Sequence, residues 1–77
     1  MNDARRKAIN DAISKLEEAK AELETARDEE QEYYDNMPEA FQNGEKGEKA
    51  SDAVSKLEDA INDLDNAISL AQEAVEG

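Results

Sequence analysis

The sequence has no cysteine, no histidine and no tryptophan, and only one proline and three glycines among 77 residues. Without cysteine there is no disulfide, no zinc thiolate and no thiol nucleophile. Without histidine the commonest general base and metal ligand is missing. Cations are scarce too: nine Lys and Arg stand against 21 Asp and Glu, a formal charge of −12. Such a chain repels the phosphates of DNA and RNA, which are bound mainly through Lys and Arg, so no direct nucleic-acid binding is expected. Long apolar runs are lacking, which argues against a membrane span or a signal peptide. A single cytoplasmic domain, residues 1–77, is expected.

What remains favours helix. Thirteen alanines, with Leu, Glu and Lys, fill much of the chain, and all four are strong helix formers. Asn2 and Asp3 are good N-cap residues for a first helix over about 3–36. Ile9, Ala12, Leu16, Ala19, Leu23, Ala26, Glu30, Tyr33 and Met37 alternate at spacings of three and four, a heptad seam. Pro38 ends it, because the residue before proline is pushed out of the helical region. An elbow follows over 37–46. Within it Pro38–Gln42 can form one short turn, Asn43-Gly44 closes it, and Gly47 adds a flexible point.

The second helix is expected over about 47–76, starting no earlier than Glu45. Val54, Leu57, Ile61, Leu64, Ile68, Ala71 and Val75 form its seam. Ala53, Ala60, Ala67 and Ala74 recur beside it every seven residues, so the apolar stripe is wide. Each helix spans roughly 50 Å at about 1.5 Å per residue. Equal helices joined by a short elbow predict an all-α fold, an antiparallel coiled-coil-like two-helix hairpin. In that arrangement Arg5, Arg6 and Lys7 lie beside Glu73 and Glu76. Residues 12–26 and 53–67 agree at eight of fifteen positions with an offset of 41; duplication and plain heptad similarity account for this equally well.

Eleven branched aliphatics and three aromatics make a thin core, since each contributes roughly 1.5–3 kcal/mol when fully buried. Self-association into a helical bundle is therefore expected, with a dimer of hairpins favoured.

The acidic pairs Glu17-Glu18, Asp28-Glu29-Glu30 and Glu58-Asp59 lack the order of a Ca²⁺ loop and read as a solvated face. No metal site and no cofactor is expected. Glu30 alone falls in a seam, where Lys46 or Lys49 can pair with it. Asn43–Gly47 lacks the spacing of a phosphate loop, and the serines have no histidine to activate them. The chain is read as a non-enzyme.

The elbow holds the unusual residues. Tyr33, Tyr34, Asn36, Phe41, Lys46 and Lys49 combine aromatics, an amide and cations, the residue types of binding hot spots. They are the candidate partner- or ligand-binding residues. The plainer reading is that Tyr33, Met37 and Phe41 plug the open end of the hairpin. One tyrosine can face in and its neighbour out.

The string EYYDNMPEAFQ, followed by GEKASDAVSKLEDAINDLDNAI, resembles a group of small, acidic, mostly uncharacterised proteins of bacteriophages and prophage-like elements. The resemblance covers most of residues 28–70. Ala40-Phe41 stands where that group has Asn-Leu, which leaves the turn chemistry intact. It implies a phage accessory protein, placed in the host bacterial cytoplasm and interfering with a host defence system. It implies no reaction. The expected function is thus binding of a host protein or of a small anionic, nucleotide-type defence signal by a homo-oligomer. The alternatives are an acidic DNA mimic that inhibits a nucleic-acid-binding host protein, and a structural coiled-coil adaptor.

Overall fold

The computed structural model describes all residues 1–77. It is entirely helical: α1 spans Asp3–Asp35, α2 spans Glu39–Gln42 and α3 spans Glu45–Glu76. The two long helices pack side by side in a rod of 58 × 14 × 12 Å. No helix is long and apolar enough to cross a membrane.

Local chemistry sets each boundary. Asn2 is extended, and its side-chain oxygen accepts from the Arg5 N–H at 2.8 Å, satisfying one of the orphan donors at the α1 start. Asp3 adds a favourable charge in the first turn. At the far end Pro38 is extended (φ −56°, ψ 146°) and its carbonyl accepts from the amides of Phe41 and Gln42. That restarts the chain as the single turn α2. Gly44 (φ −99°, ψ −168°) is also extended, and its carbonyl accepts from Glu48 N–H at 3.0 Å. The second long helix therefore begins at Glu45, the earliest of its expected starts. Gly47 is not a flexible point; it is buried in the first turn of α3.

The core comes mainly from α3. Ala50, Val54, Ile61 and Ile68 are buried there, and only Ile13 is buried on α1. Leu57, Leu64, Ala71 and Val75 are half-buried, so the whole expected α3 seam faces inward, extended by Gly47 and Ala50.

On α1 six of the nine expected seam residues face inward: Ile9, Leu16, Ala19, Leu23, Glu30 and Met37 are half-buried, but Ala12, Ala26 and Tyr33 are exposed. The alternate row lies one residue later. Ile13 is buried, and Lys20, Arg27 and Tyr34 are half-buried. Cover of the α3 stripe explains the shift. Lys and Arg lay long aliphatic stems over apolar surface and keep their charged ends wet, whereas an alanine methyl covers little.

Lys20 crosses to α3 and meets Asp65 at 2.5 Å. This is the ion pair that joins the two long helices, and it marks their register. Its hydrogen bond to Asp65 raises the Lys20 pKa above 10.5; the charges of Asp65, Glu24 and Glu17 add to the effect and desolvation opposes it.

Two expected pairings differ. Arg6 bonds Asp3 and Lys7 bonds Asp11, both on their own helix, rather than Glu73 and Glu76. Short i,i+3 and i,i+4 partners need less side-chain ordering than a cross-helix reach. Glu30 pairs with neither elbow lysine. Lys49 bonds Glu45 at 3.2 Å and Lys46 stands over Phe41, because both project away from the seam that Glu30 occupies.

Candidate functional site

The elbow is locked by Gln42, which the sequence pattern did not single out, and by Gly47, which it marked as a flexible point. Gln42 Nε2 donates to the Tyr34 carbonyl at 3.0 Å and, at 3.5 Å, lies within reach of the Asp35 carbonyl. The Tyr34 carbonyl also accepts from the Met37 N–H at 3.1 Å, so Gln42 is its second partner at the end of α1, where the last turn has no basic side chain. Gly47 allows α3 to lie directly against the same residue. A Cβ on Gly47 would stand 2.0 Å from the Gln42 carbonyl oxygen and 2.4 Å from its carbon. Only hydrogen fits there. A glycine inside an otherwise strong helical pattern is costly without such a close approach, and that was the available signal. Gln42 offered none, being one polar residue in a polar turn.

The six candidate residues divide between two clefts. Tyr33, Asn36, Phe41 and Lys46 line one with Met37 and Pro38, enclosing about 340 Å³. Tyr33 and Phe41 are each 53% exposed. The Lys46 ammonium stands 5.7 Å from the centre of the Phe41 ring, within cation–π range. This cleft combines an apolar floor, an amide and one cation.

Tyr34 and Lys49 line the other cleft, about 600 Å³, with Gln42, Gly47, Ser51 and Ser55 and the acids Glu45, Glu48 and Asp52. Lys49 is already bonded to Glu45 there. Tyr34 is half-buried and turned toward the seam. Lys46 and Ser51 flank the Gly47–Ala50–Val54 stripe on its two sides, so the clefts open on opposite sides of the hairpin. Tyr34, Met37 and Gln42 thus close the elbow end, while Tyr33 and Phe41 stay open to solvent.

The arrangement offers recognition chemistry. No group of three or more carboxylates converges on a point where an ion would sit. Comparison with protein-family models, with curated proteins and with solved structures finds no match to this chain.

Proposed function

We propose that this chain is a non-enzymatic accessory protein of phage type, a homo-oligomer in the host bacterial cytoplasm that counters a defence system by binding. Its site is the Tyr33–Asn36–Phe41–Lys46 cleft. The observation that carries the reading is the Lys46 ammonium poised over the Phe41 ring beside the exposed face of Tyr33. An exposed aromatic pair suits a flat ring and the ammonium suits an anion, so a small nucleotide-type ligand fits the chemistry. The cleft volume lies at the lower end of ligand sites, about 300–1,000 Å³. The thin core supports self-association: six of 77 residues are buried.

Calorimetry against cyclic nucleotides and ADP-ribose derivatives tests this. Uptake should be abolished by Lys46→Ala and Tyr33→Ala and kept by Lys49→Ala, with helicity unchanged in all three. No heat with any member of the panel removes the small-ligand reading and leaves a host protein as the target, to be sought by pull-down on the intact elbow. The 58 Å length and the −12 charge also suit a DNA mimic. A host contact unaffected by 0.5 M salt would rule that out, since mimicry depends on screened charge. A plain adaptor would keep working with its elbow replaced by a Gly/Ser turn.

A further inference from the structure

We infer that two copies of this chain dock face to face, elbow to tail, through the side of the rod that carries the alanine rows. This rests on the self-association proposed above and names its surface and its symmetry.

The two clefts identify the sides. Tyr33 of α1 and Lys46 of α3 line one cleft, so they stand on the same side of the hairpin. A step of seven residues is close to two helical turns and returns to the same face. From Tyr33 such steps reach Ala26, Ala19, Ala12 and Arg5. From Lys46 they reach Ala53, Ala60, Ala67 and Ala74. One long side of the rod is therefore surfaced by seven methyl groups between the elbow and the tail. The internal echo explains this, because its offset of 41 superposes Ala12, Ala19 and Ala26 on Ala53, Ala60 and Ala67.

The opposite side is acidic. Glu17, Glu24 and Asp65 all act on Lys20 from there. Two chains of charge −12 cannot bring that side together without stacking like charges. The alanine side carries no charge along its middle. Small side chains let helix axes approach to about 8 Å. The broad 58 × 14 Å face projects roughly 800 Å² per copy, the size of a standard interface. A hairpin with so few buried residues needs that contact more than any other surface it has.

Charge order selects the arrangement. Ala19 is the midpoint of α1, which spans Asp3–Asp35. A two-fold axis through it lays α1 antiparallel on the second α1. Lys15, on the outer edge of the alanine row, then comes beside Glu22 of the second copy, and Arg5 beside the second copy's Tyr33. With elbows together, Glu22 would instead meet Asp63 of the second copy, since the Lys20–Asp65 pair sets those two at one level, and the Glu29–Lys56 contact one heptad on would no more than offset that repulsion. Elbow to tail, Ala67 lies level with Ala19 and meets its own copy across the axis. Arg5 of the second copy then borders each binding cleft at Tyr33, while Phe41 and Lys46 extend past the end and stay open.

The lack of cysteine makes the test clean, because any disulfide from one introduced cysteine joins two chains. In sedimentation equilibrium the native chain should have twice its 8.5 kDa mass. Oxidised Ala67→Cys should cross-link fully and Asn62→Cys, on the opposite side, should not. Ala67→Glu should return the mass to 8.5 kDa or shift the dimer to much higher concentration. A native monomer at micromolar concentration overturns both the self-association and this face. A dimer that cross-links through Asn62→Cys and not Ala67→Cys overturns the face alone. A bridge that forms only when Ala19→Cys and Ala67→Cys chains are mixed overturns the elbow-to-tail order. A mass above two chains overturns the two-copy assembly.

Discussion

Gly47→Ala is the sharpest probe of the elbow. In a solvent-facing helix the change would stabilise by about 0.5–1 kcal/mol, because alanine loses less backbone freedom than glycine. Here the new Cβ would stand 2.0 Å from the Gln42 oxygen, against 3.4 Å or more for ordinary contact. The obstacle is backbone, so α2 must retreat by over an ångström. Such overpacking costs about 1–3 kcal/mol. The retreat also breaks the Gln42 bond to the Tyr34 carbonyl, worth about 1 kcal/mol. Set against the propensity gain, the net loss is about 2 kcal/mol. For a chain of this size that lowers Tm by about 8–16 °C. Thermal melts followed by circular dichroism at one fixed protein concentration would measure it. Gly44→Ser is the control. The Cβ there meets its nearest atom at 3.5 Å, the backbone is already extended, and serine is a better N-cap than glycine. Its melt should match or slightly exceed the native one. If Gly47→Ala melts at or above the native temperature, α3 does not lie against Gln42 and the elbow geometry described above is wrong.

Three further outcomes are expected. Gln42→Leu should cost about 1 kcal/mol by removing the side-chain bond that ties α2 to the Tyr34 carbonyl; an unchanged urea midpoint would mean that the Met37 N–H and water already satisfy that carbonyl. Ile61→Ala, at a site 5% exposed, should cost about 2–4 kcal/mol, whereas Leu70→Gln, at 65% exposure, should stay within about 0.5 kcal/mol. Equal losses would show that Leu70 is covered in solution. Lys20 is protonated more readily in the folded state, so its pair with Asp65 contributes fully from neutral pH to 10.5 and is lost as pH rises through the raised pKa. The difference in urea midpoint between native and Lys20→Met chains should therefore be constant over that range and change above it; a difference that stays flat at higher pH would mean the pair contributes nothing.

Much of this fold is legible from spacing, and its errors have physical causes. The α3 seam contains only apolar residues at three-four spacing, so no competing face exists. On α1 two candidate rows lie one residue apart. One reads Ala12, Ala19, Ala26, Tyr33 and the other Ile13, Lys20, Arg27, Tyr34. Polarity favours the first, and the covered area of the longer side chains favours the second. Ile13 was the informative residue, since a lone isoleucine outside the seam needs a burial site. The same one-residue shift turns Tyr34 inward and leaves Tyr33 in the open cleft. Sequence grouped the six elbow residues by proximity along the chain; the hairpin separates them because the consecutive Tyr33 and Tyr34 diverge by about 100° on α1, one toward each cleft. Gln42 was beyond pattern reasoning, for its role exists only once α2 folds back against both long helices, whereas a glycine inside the strong helical pattern of α3 marked Gly47 as a place of close approach.

The placement of the aromatic residues has a spectroscopic consequence. Tyr33, Tyr34 and Phe41 are the whole aromatic content of the chain, and there is no tryptophan. All three sit at the elbow end of the hairpin, Tyr33 and Tyr34 in the last turn of α1 and Phe41 in α2, while the far-ultraviolet signal comes almost wholly from the full lengths of α1 and α3. Tyrosine emission and near-ultraviolet absorbance thus report on the elbow alone. Two optical channels recorded from one unlabelled sample separate a rearrangement at the cleft from a loss of the rod.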